Sequence, residues 1–491
     1  MFLGKFGARI VGLSWGMIQS RSVDARTNPG LTPGWVIART MVMETSPLYL
    51  PSRRRFLGAS LSSVASLNIL SGFVRGQGSE ANRKLNIAFI GAGGRASGNI
   101  EGCDKAGQTI YALCDVDQER AAGSIAKYPE AKVYRDWREM LATEGDKIDA
   151  VVVSTPDHLH AVAAMAAIKM GKHVYVEKPL TLTISEARAL HAAAKEAGVC
   201  TQMGNTGHAN EGARFTNEYI QSGSIGDVEM IYCRTNRPIW PQDIVRPAAE
   251  TAPATLDWNL WLGPAADKPY SSQIAPFKWR GFRDYGTGAL GDMGAHIIDH
   301  PMWALGLGLP TKISVEKADR KTPGSEIDSH PSSCIIDFEF ASPSGGSPIK
   351  LQWLDGQYTI PRPEGMREDQ KVPENGCVYI GSKHVMMHGS HGGNPTIIDA
   401  KFASFVAPEK TMERSPGHYQ EWIDAIHAGD PSKAKSNFDV AVPLTETLLL
   451  GAIASLQGPG TELNWDPAAM TTGNAGADAL VNHQYREGWS L

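Results

Sequence analysis

The sequence predicts an α/β protein: a doubly wound parallel sheet over residues 84–204, then an α+β domain over 205–491 with a mostly antiparallel open sheet. Three observations carry this reading. From Lys84, short apolar runs alternate with stretches of helical spacing, the pattern of a parallel sheet with crossover helices. The first run leads directly into Gly91-Ala92-Gly93-Gly94-Arg95-Ala96. After Gly204 the texture changes: nine of the twelve tryptophans fall from Trp240 to Trp489, and proline-rich loops separate alternating strands. At 491 residues the chain exceeds one simple core, so two domains are expected.

Taken in order, residues 1–83 read as leader and linker rather than fold. Ser52-Arg53-Arg54-Arg55-Phe56-Leu57 matches a twin-arginine export signal, and a mild apolar segment follows to Val74. The alternative is a basic patch beside a surface helix. Five serines and Asn68 make the segment too polar for a membrane span, so none is expected in the mature chain. Initiation at Met41 or Met43 would put the arginines nearer a usual leader depth. The expected location is periplasmic, reached through the twin-arginine route, which moves folded proteins and so permits a cofactor to be loaded before export.

Strands are expected at Leu85–Ile90, Thr109–Cys114, Ile148–Ser154, His173–Val176 and Val199–Met203, with helices at Ala161–Met170 and Ile184–Ala197. Gly171 and Gly198 fall where helix C-caps belong. In the second domain, Ser333–Phe340 and Ile349–Leu354 read as strands. Gln420–Ala428 and Val442–Leu456 read as helices that pack back on the first domain.

Composition excludes some classes. The apolar fraction of 42% and the charged fraction of 20% describe a globular protein, and a formal charge of −5 leaves no basic surplus for a nucleic-acid partner. Six cysteines are scattered without a C-x-x-C pair, so no zinc site or disulfide framework is read from them, and buried free thiols are the plainer reading.

Gly91, Gly93 and Ala96 fit the G-x-G-x-x-[G/A] fingerprint of a dinucleotide-binding turn. Asp115 ends the next strand 24 residues after Gly91. An acid there binds ribose hydroxyls and repels a 2′-phosphate, which favours NAD over NADP; a helix cap is the plainer alternative. Thr155-Pro156-Asp157-His158-Leu159-His160 leaves another strand at its carboxyl end, where His158 or His160 is positioned to touch a nicotinamide ribose, or else forms polar surface. Glu177-Lys178-Pro179 ends the strand after that. Pro179 biases Lys178 towards extended geometry, and a cis or strained Glu177–Lys178 peptide would aim the lysine at the cofactor rather than into water. In Gly288–His300, Asp292 and His296 are four residues apart and share a helical face. A carboxylate beside an imidazole would orient the ring and raise its basicity. A metal site with Asp299 or His300 as a further ligand is the competing reading, but the pattern lacks a metal motif, so no metal is expected. Pro301 is expected to kink or offset this helix.

Together these four ordered motifs resemble the glucose–fructose oxidoreductase / inositol dehydrogenase (Gfo/Idh/MocA) family over nearly all of residues 84–491. The resemblance implies a Rossmann domain followed by an α/β domain whose open sheet supports a homo-oligomer, a dimer or tetramer. It implies an NAD-dependent oxidoreductase moving a hydride between a sugar or polyol secondary alcohol and a tightly held cofactor. In family terms Lys178 polarises the reacting hydroxyl, His296 is the acid/base and Asp292 holds His296. The glycine loop (Gly91, Ala92, Gly93, Gly94, Arg95) with Asp115, Thr155, Pro156, Glu177 and Lys178 lines the cofactor, and Asn205 and His208 face cofactor or substrate. Two other readings stand beside it: a glycosidase that oxidises, eliminates and reduces again on bound NAD, and a non-catalytic sugar-binding protein.

Overall fold

The computed structural model describes residues 83–321, 328–343 and 345–491. The twin-arginine motif at Ser52–Leu57 and the apolar stretch to Val74 lie outside the described residues.

Short runs rich in valine, isoleucine and alanine form the first sheet, because such side chains pack well on both faces of a buried parallel sheet. Its strands are β1 (Asn86–Ile90), β2 (Thr109–Cys114), β3 (Lys132–Tyr134), β4 (Ala150–Val153), β5 (His173–Val176) and β6 (Thr201–Met203). All pair in parallel, in the order β3-β2-β1-β4-β5-β6. Chain order reverses between β1 and β4, which opens a crevice beyond their carboxyl ends. The connecting helices are α1 (Arg95–Lys105), α2 (Gln118–Lys127), α3 (Trp137–Glu144), α4 (Asp157–Lys169) and α5 (Ile184–Ala197). Gly198 ends α5 in the left-handed region (φ 65), as its spacing suggested.

Two elements depart from expectation. β3 has only three residues, two of them exposed, so no apolar run announces it. α4 starts at Asp157 rather than Ala161: Pro156 takes the extended N-cap geometry, and Asp157 places its charge in the first turn, where the helix dipole favours it.

The second sheet contains β7 (Val228–Arg234), β8 (Pro310–Ala318), β9 (Cys334–Phe340), β10 (Ile349–Leu354), β11 (Gly376–Gly381), β12 (Val385–Gly389), β13 (Thr396–Ile397) and β14 (Glu462–Asn464). Their order is β13-β12-β11-β7-β10-β9-β8-β14, and only β7 and β10 run parallel. The helices of this half are α6 (Glu211–Gln221), α7 (Trp258–Leu262), α8 (Gly288–Ile297), α9 (Asp299–Leu305), α10 (His418–Ala428), α11 (Phe438–Gln457) and α12 (Ala475–Asp478). Pro301 lies in the first turn of α9, where its missing N–H breaks no helical bond, and the axis is interrupted at Ile298 just before it.

α11 has 20 residues and a mean hydropathy of 1.4, long and apolar enough to cross a bilayer, but 78% of that stretch is buried within the fold. It is apolar on every face because it packs against α5, α8 and β8 at once. Its buried carboxylate, Glu446, is matched by Arg188 and by the Trp465 indole N–H at 2.7 Å. α10 returns to the first sheet: Tyr419 stacks on Tyr175 with centroids 5.6 Å apart and donates its hydroxyl to Asn99, while Trp422 packs edge-on to the same ring. All six cysteines are free and buried.

Burial also sets a pH limit. It lowers the imidazole pKa of His158 to about 3 and of His330 and His418 to about 4, from an ordinary 6.5. Below 6.5 the unfolded chain takes up these protons before the folded one does, so their contribution is complete above that value and is lost as pH falls towards 4. Urea titrations at pH 7 and pH 5 should therefore give a lower midpoint at pH 5; equal midpoints would contradict the neutral buried histidines.

Candidate active site

The carboxyl ends of β1, β4 and β5 meet Asp292, Met293 and His296 of α8 and the loop after β12 around a cavity of about 690 Å3. Gly91 turns the chain out of β1 at φ +93. A Cβ there would lie 2.7 Å from the Ser154 carbonyl oxygen, so only glycine lets the chain pass this close to β4. No side chain caps the start of α1, where the Ala96 and Ser97 amides reach back to the Gly93 and Gly94 carbonyls at 3.3 and 3.2 Å, so no side chain competes there with an anionic ligand. Asp115 Oδ2 accepts the N–H groups of Ala92 (2.9 Å) and Gly93 (3.0 Å), and Oδ1 accepts that of Asp117 (3.0 Å). Burial raises its pKa, and these three bonds only partly offset the rise. The uncapped helix start, the carboxylate at the end of β2 and the buried, unpartnered Thr155 hydroxyl together fit a dinucleotide.

Glu177 and Lys178 point to opposite partners. Glu177 Oε1 accepts from Arg95 Nε (2.9 Å) and Asn99 Nδ2 (3.0 Å), tying the end of β5 to the glycine loop. Lys178 Nζ donates to Asp292 Oδ1 (2.8 Å) and to the Asp292 carbonyl (2.9 Å), tying the same strand end to α8. The cis bond in this stretch is Lys178–Pro179, one peptide beyond the one considered from sequence.

The expected Asp292–His296 contact is not formed. Asp292 Oδ1 instead accepts from Lys178 and from Arg280 Nε (3.1 Å), and no hydrogen bond joins it to His296 among the described residues. Sharing a helical face was not sufficient, because two cations compete better for a carboxylate than a neutral imidazole does. Burial raises the Asp292 pKa, but Lys178 and Arg280 outweigh it and hold the group below its usual range. His296 is 7% exposed, its Nδ1 is buried without a partner, and its ring stacks on His391 at 3.9 Å. Burial, reinforced by Lys178 and His391, pushes its pKa well below 6.5.

Of the residues picked from sequence, Gly91, Gly93, Gly94, Arg95 and Asp115 line the cavity, as do Thr155, Pro156, Glu177, Lys178, Asp292 and His296. Ala92, His158, His160, Asn205 and His208 do not. His158 is packed between Trp261 and Tyr285 and binds the Trp261 carbonyl at 3.0 Å. Both ring nitrogens of His160 face backbone carbonyls, those of Pro179 (2.9 Å) and Thr155 (2.8 Å), so it braces two loops instead of reaching the crevice. Asn205 accepts from the Ser436 hydroxyl inside the fold. His208 meets Asp299 at 3.0 Å and stacks on Trp303 at 4.1 Å, away from the cavity. No cluster of three metal-ligating side chains occurs among the described residues, and Asp299 and His300 serve this buried network.

Sequence reasoning missed Asp157, Arg237, Arg280 and His391, all of which line the cavity. Asp157 accepts from the Thr287 hydroxyl at 2.9 Å, and burial raises its pKa to about 6. Its only sequence signal, an acid in a helix's first turn, is indistinguishable from ordinary dipole stabilisation. His391 adopts φ 59, unusual for a residue other than glycine, and its N–H donates to the His296 carbonyl at 3.1 Å.

Residues 85–205 match the oxidoreductase family GFO_IDH_MocA, NAD-binding Rossmann fold, and residues 240–328 match the same family's C-terminal α/β domain. These matches support membership of the Gfo/Idh/MocA family. Among curated relatives, levoglucosan dehydrogenase of Pseudarthrobacter phenanthrenivorans is 27% identical over 194 residues, covering 40% of this chain and 42% of that protein. The α-N-acetylgalactosaminidase of Shewanella oneidensis is 32% identical over 183 residues, covering 35% of this chain and 39% of that protein. The chain thus spans less than half the length of these curated relatives. The WlbA dehydrogenase of Bordetella pertussis, solved with NADH and UDP-GlcNAcA, superposes with a TM-score of 0.55 at 17% identity. It covers 76% of this chain and 97% of that one, a likeness of fold.

The buried, cation-flanked imidazole gives a direct check. In an NMR titration of the folded chain, His296 should stay neutral at pH 6.5 and acquire its proton only well below that; a midpoint at or above 6.5 would contradict the geometry.

Proposed function

We propose that this chain is a nicotinamide-dependent oxidoreductase acting on a secondary alcohol of a sugar or polyol. The observation that carries this reading is the convergence of Lys178 and the neutral His296 on one cavity that also contains the glycine loop and the end of β2. A nicotinamide dinucleotide bound along that loop supplies the hydride acceptor. The remaining work falls to this chain's side chains. His296, kept uncharged by burial, is free to take the hydroxyl proton. The Lys178 ammonium donates to the same oxygen and stabilises the negative charge that grows as the carbon-bound hydride leaves. Asp292 and Arg280 hold Lys178 in place, so Asp292 is a positioning residue for the lysine rather than for the histidine.

The likeness to an α-N-acetylgalactosaminidase supports a second reading, in which oxidation is transient and the net reaction is glycoside cleavage. Both chemistries need the same proton and hydride steps at first. They separate on one assay: aglycone release without net accumulation of reduced cofactor selects the hydrolytic reading. Under either, Lys178→Met and His296→Ala should each lower kcat by about 100-fold or more while cofactor still binds, the usual scale for removing a positioned acid, base or charge stabiliser. Turnover within a few-fold of the parent in both variants would sink the assignment.

For the cofactor we propose NAD over NADP. Support comes from Asp115, a carboxylate closing β2 against the glycine loop, which would accept ribose hydroxyls and repel a 2′-phosphate. Arg120 also lines the cavity beside the glycine loop and is the group available to accept such a phosphate. Asp115→Ala should therefore raise KM for NAD and lower KM for NADP; an unchanged ratio of the two would remove Asp115 from cofactor choice.

A further inference from the structure

The reacting end of the cavity carries more positive than negative charge, and the excess has a definite location. Four cationic side chains reach it: Arg95, Lys178, Arg237 and Arg280. Three are matched by carboxylates, Arg95 by Glu177 at 2.9 Å, and Lys178 and Arg280 by Asp292 at 2.8 and 3.1 Å. Asp157 is the third acid on this wall, and its partner is the Thr287 hydroxyl. Even with Asp157 ionised, three acids face four cations. Arg237 forms no ion pair among the described residues; its guanidinium Nη1 donates only to the adjacent Asn236 side chain.

The backbone holds Arg237 at this position. Its carbonyl accepts from Gly356 N–H at 2.7 Å, and its own N–H donates to Thr235 Oγ1 at 3.3 Å. Thr235 Oγ1 in turn donates to Asn375 Oδ1 at 2.6 Å, and Asn236 N–H donates to the same oxygen at 3.1 Å. With Oδ1 doubly occupied, the Asn375 side chain has only its NH2 donors left for the cavity it lines. Ser390, whose N–H bonds the Asn375 carbonyl at 2.9 Å, and His391 complete this corner. A guanidinium without an ion pair, lining the same cavity as a fixed amide donor, offers a site for an anion, and the planar fork of arginine suits a carboxylate.

We infer that the physiological substrate is an acidic sugar whose carboxylate is bound by Arg237 and the Asn375 amide, with its reacting hydroxyl turned towards Lys178 and His296. This rests on the oxidoreductase reading for the hydroxyl but not for the carboxylate, which rests on the Arg237 guanidinium and the Asn375 amide. Arg237 is then a specificity-determining residue.

The test uses the full-length protein loaded with NAD(H). Glucuronate, glucose and glucose 6-phosphate are compared by initial rates of cofactor reduction, and their binding is followed by fluorescence of the NADH-loaded protein. Glucuronate should bind about tenfold or more tightly than glucose, the scale of one hydrogen bond to a charged group. Arg237→Gln should bring that ratio towards one, chiefly through KM, and Arg237→Lys should restore part of it. Equal binding of glucuronate and glucose, preference for glucose 6-phosphate, or a ratio unmoved in Arg237→Gln each overturns the inference. Reduction by glucose without any preference for glucuronate leaves the oxidoreductase reading standing and removes this one. Arg237-dependent glucuronate binding without reduction by any sugar does the reverse.

Discussion

The crevice depends on the ion pair between Lys178 and Asp292, because it joins the first sheet to the helix that carries His296. Lys178 leaves the end of β5 and Asp292 sits in α8, 114 residues away, with their atoms 2.8 Å apart and side chains only 14% and 15% exposed. At that depth the desolvation cost approaches the Coulombic gain, so the pair is weak evidence for stability as such. Its clearer consequence is positional. Arg280 shares the same carboxylate oxygen and is itself packed over the Trp279 ring at 4.3 Å. The lysine is thereby held by a carboxylate whose own position is held from the other side.

Glu177 performs the complementary task in the opposite direction. By accepting from Arg95 and Asn99 it couples the same strand end to the glycine loop and the first helix. Two adjacent residues thus brace the two walls of the cavity: one fixes the glycine-loop side, the other the side where α8 carries His296. His160 adds a third brace, facing one ring nitrogen to the loop after β4 and the other to the loop after β5. These three side chains explain why the triplet and the nearby histidines stand out in the sequence, although only Lys178 reaches the place where a hydroxyl would react.

What the sequence revealed and what it hid divide by range. Strands β2, β5 and β10, helix α5 and the glycine turn were legible because each is specified by residues within one local window, through apolar runs, caps or a required positive φ. Roles of single polar side chains were not. His158 and His208 occupy loops and helix starts typical of functional residues, yet tertiary packing turns both inward against Trp261 and Trp303. Asp292 and His296 lie on one helical face, but the carboxylate's partners arrive from positions 178 and 280. Arg237 and His391 belong to segments whose meeting is decided by pairing among β7, β11 and β12, long-range contacts that no local pattern announces.

The proline- and tryptophan-rich segment between β7 and α8 is the part where a local reading was most misleading. It reads as loops, yet it builds a small apolar core of its own around Trp261, Phe282 and Tyr285, and His158 is drawn into it. Its backbone also docks on the first sheet, with Asp257 N–H bonding the Val116 carbonyl at 2.9 Å and Gln118 N–H bonding Thr255 at 3.3 Å. Leu256 and Trp261 from this segment line the same cavity as Asp115. Lifting this segment would break both backbone bonds and pull Trp261 and Tyr285 off His158, so it is anchored to the first domain rather than hung as a free loop. On the proposed function this favours keeping the dinucleotide in place between turnovers, so that the substrate end, where Arg237 stands half-buried, is the side left for exchange.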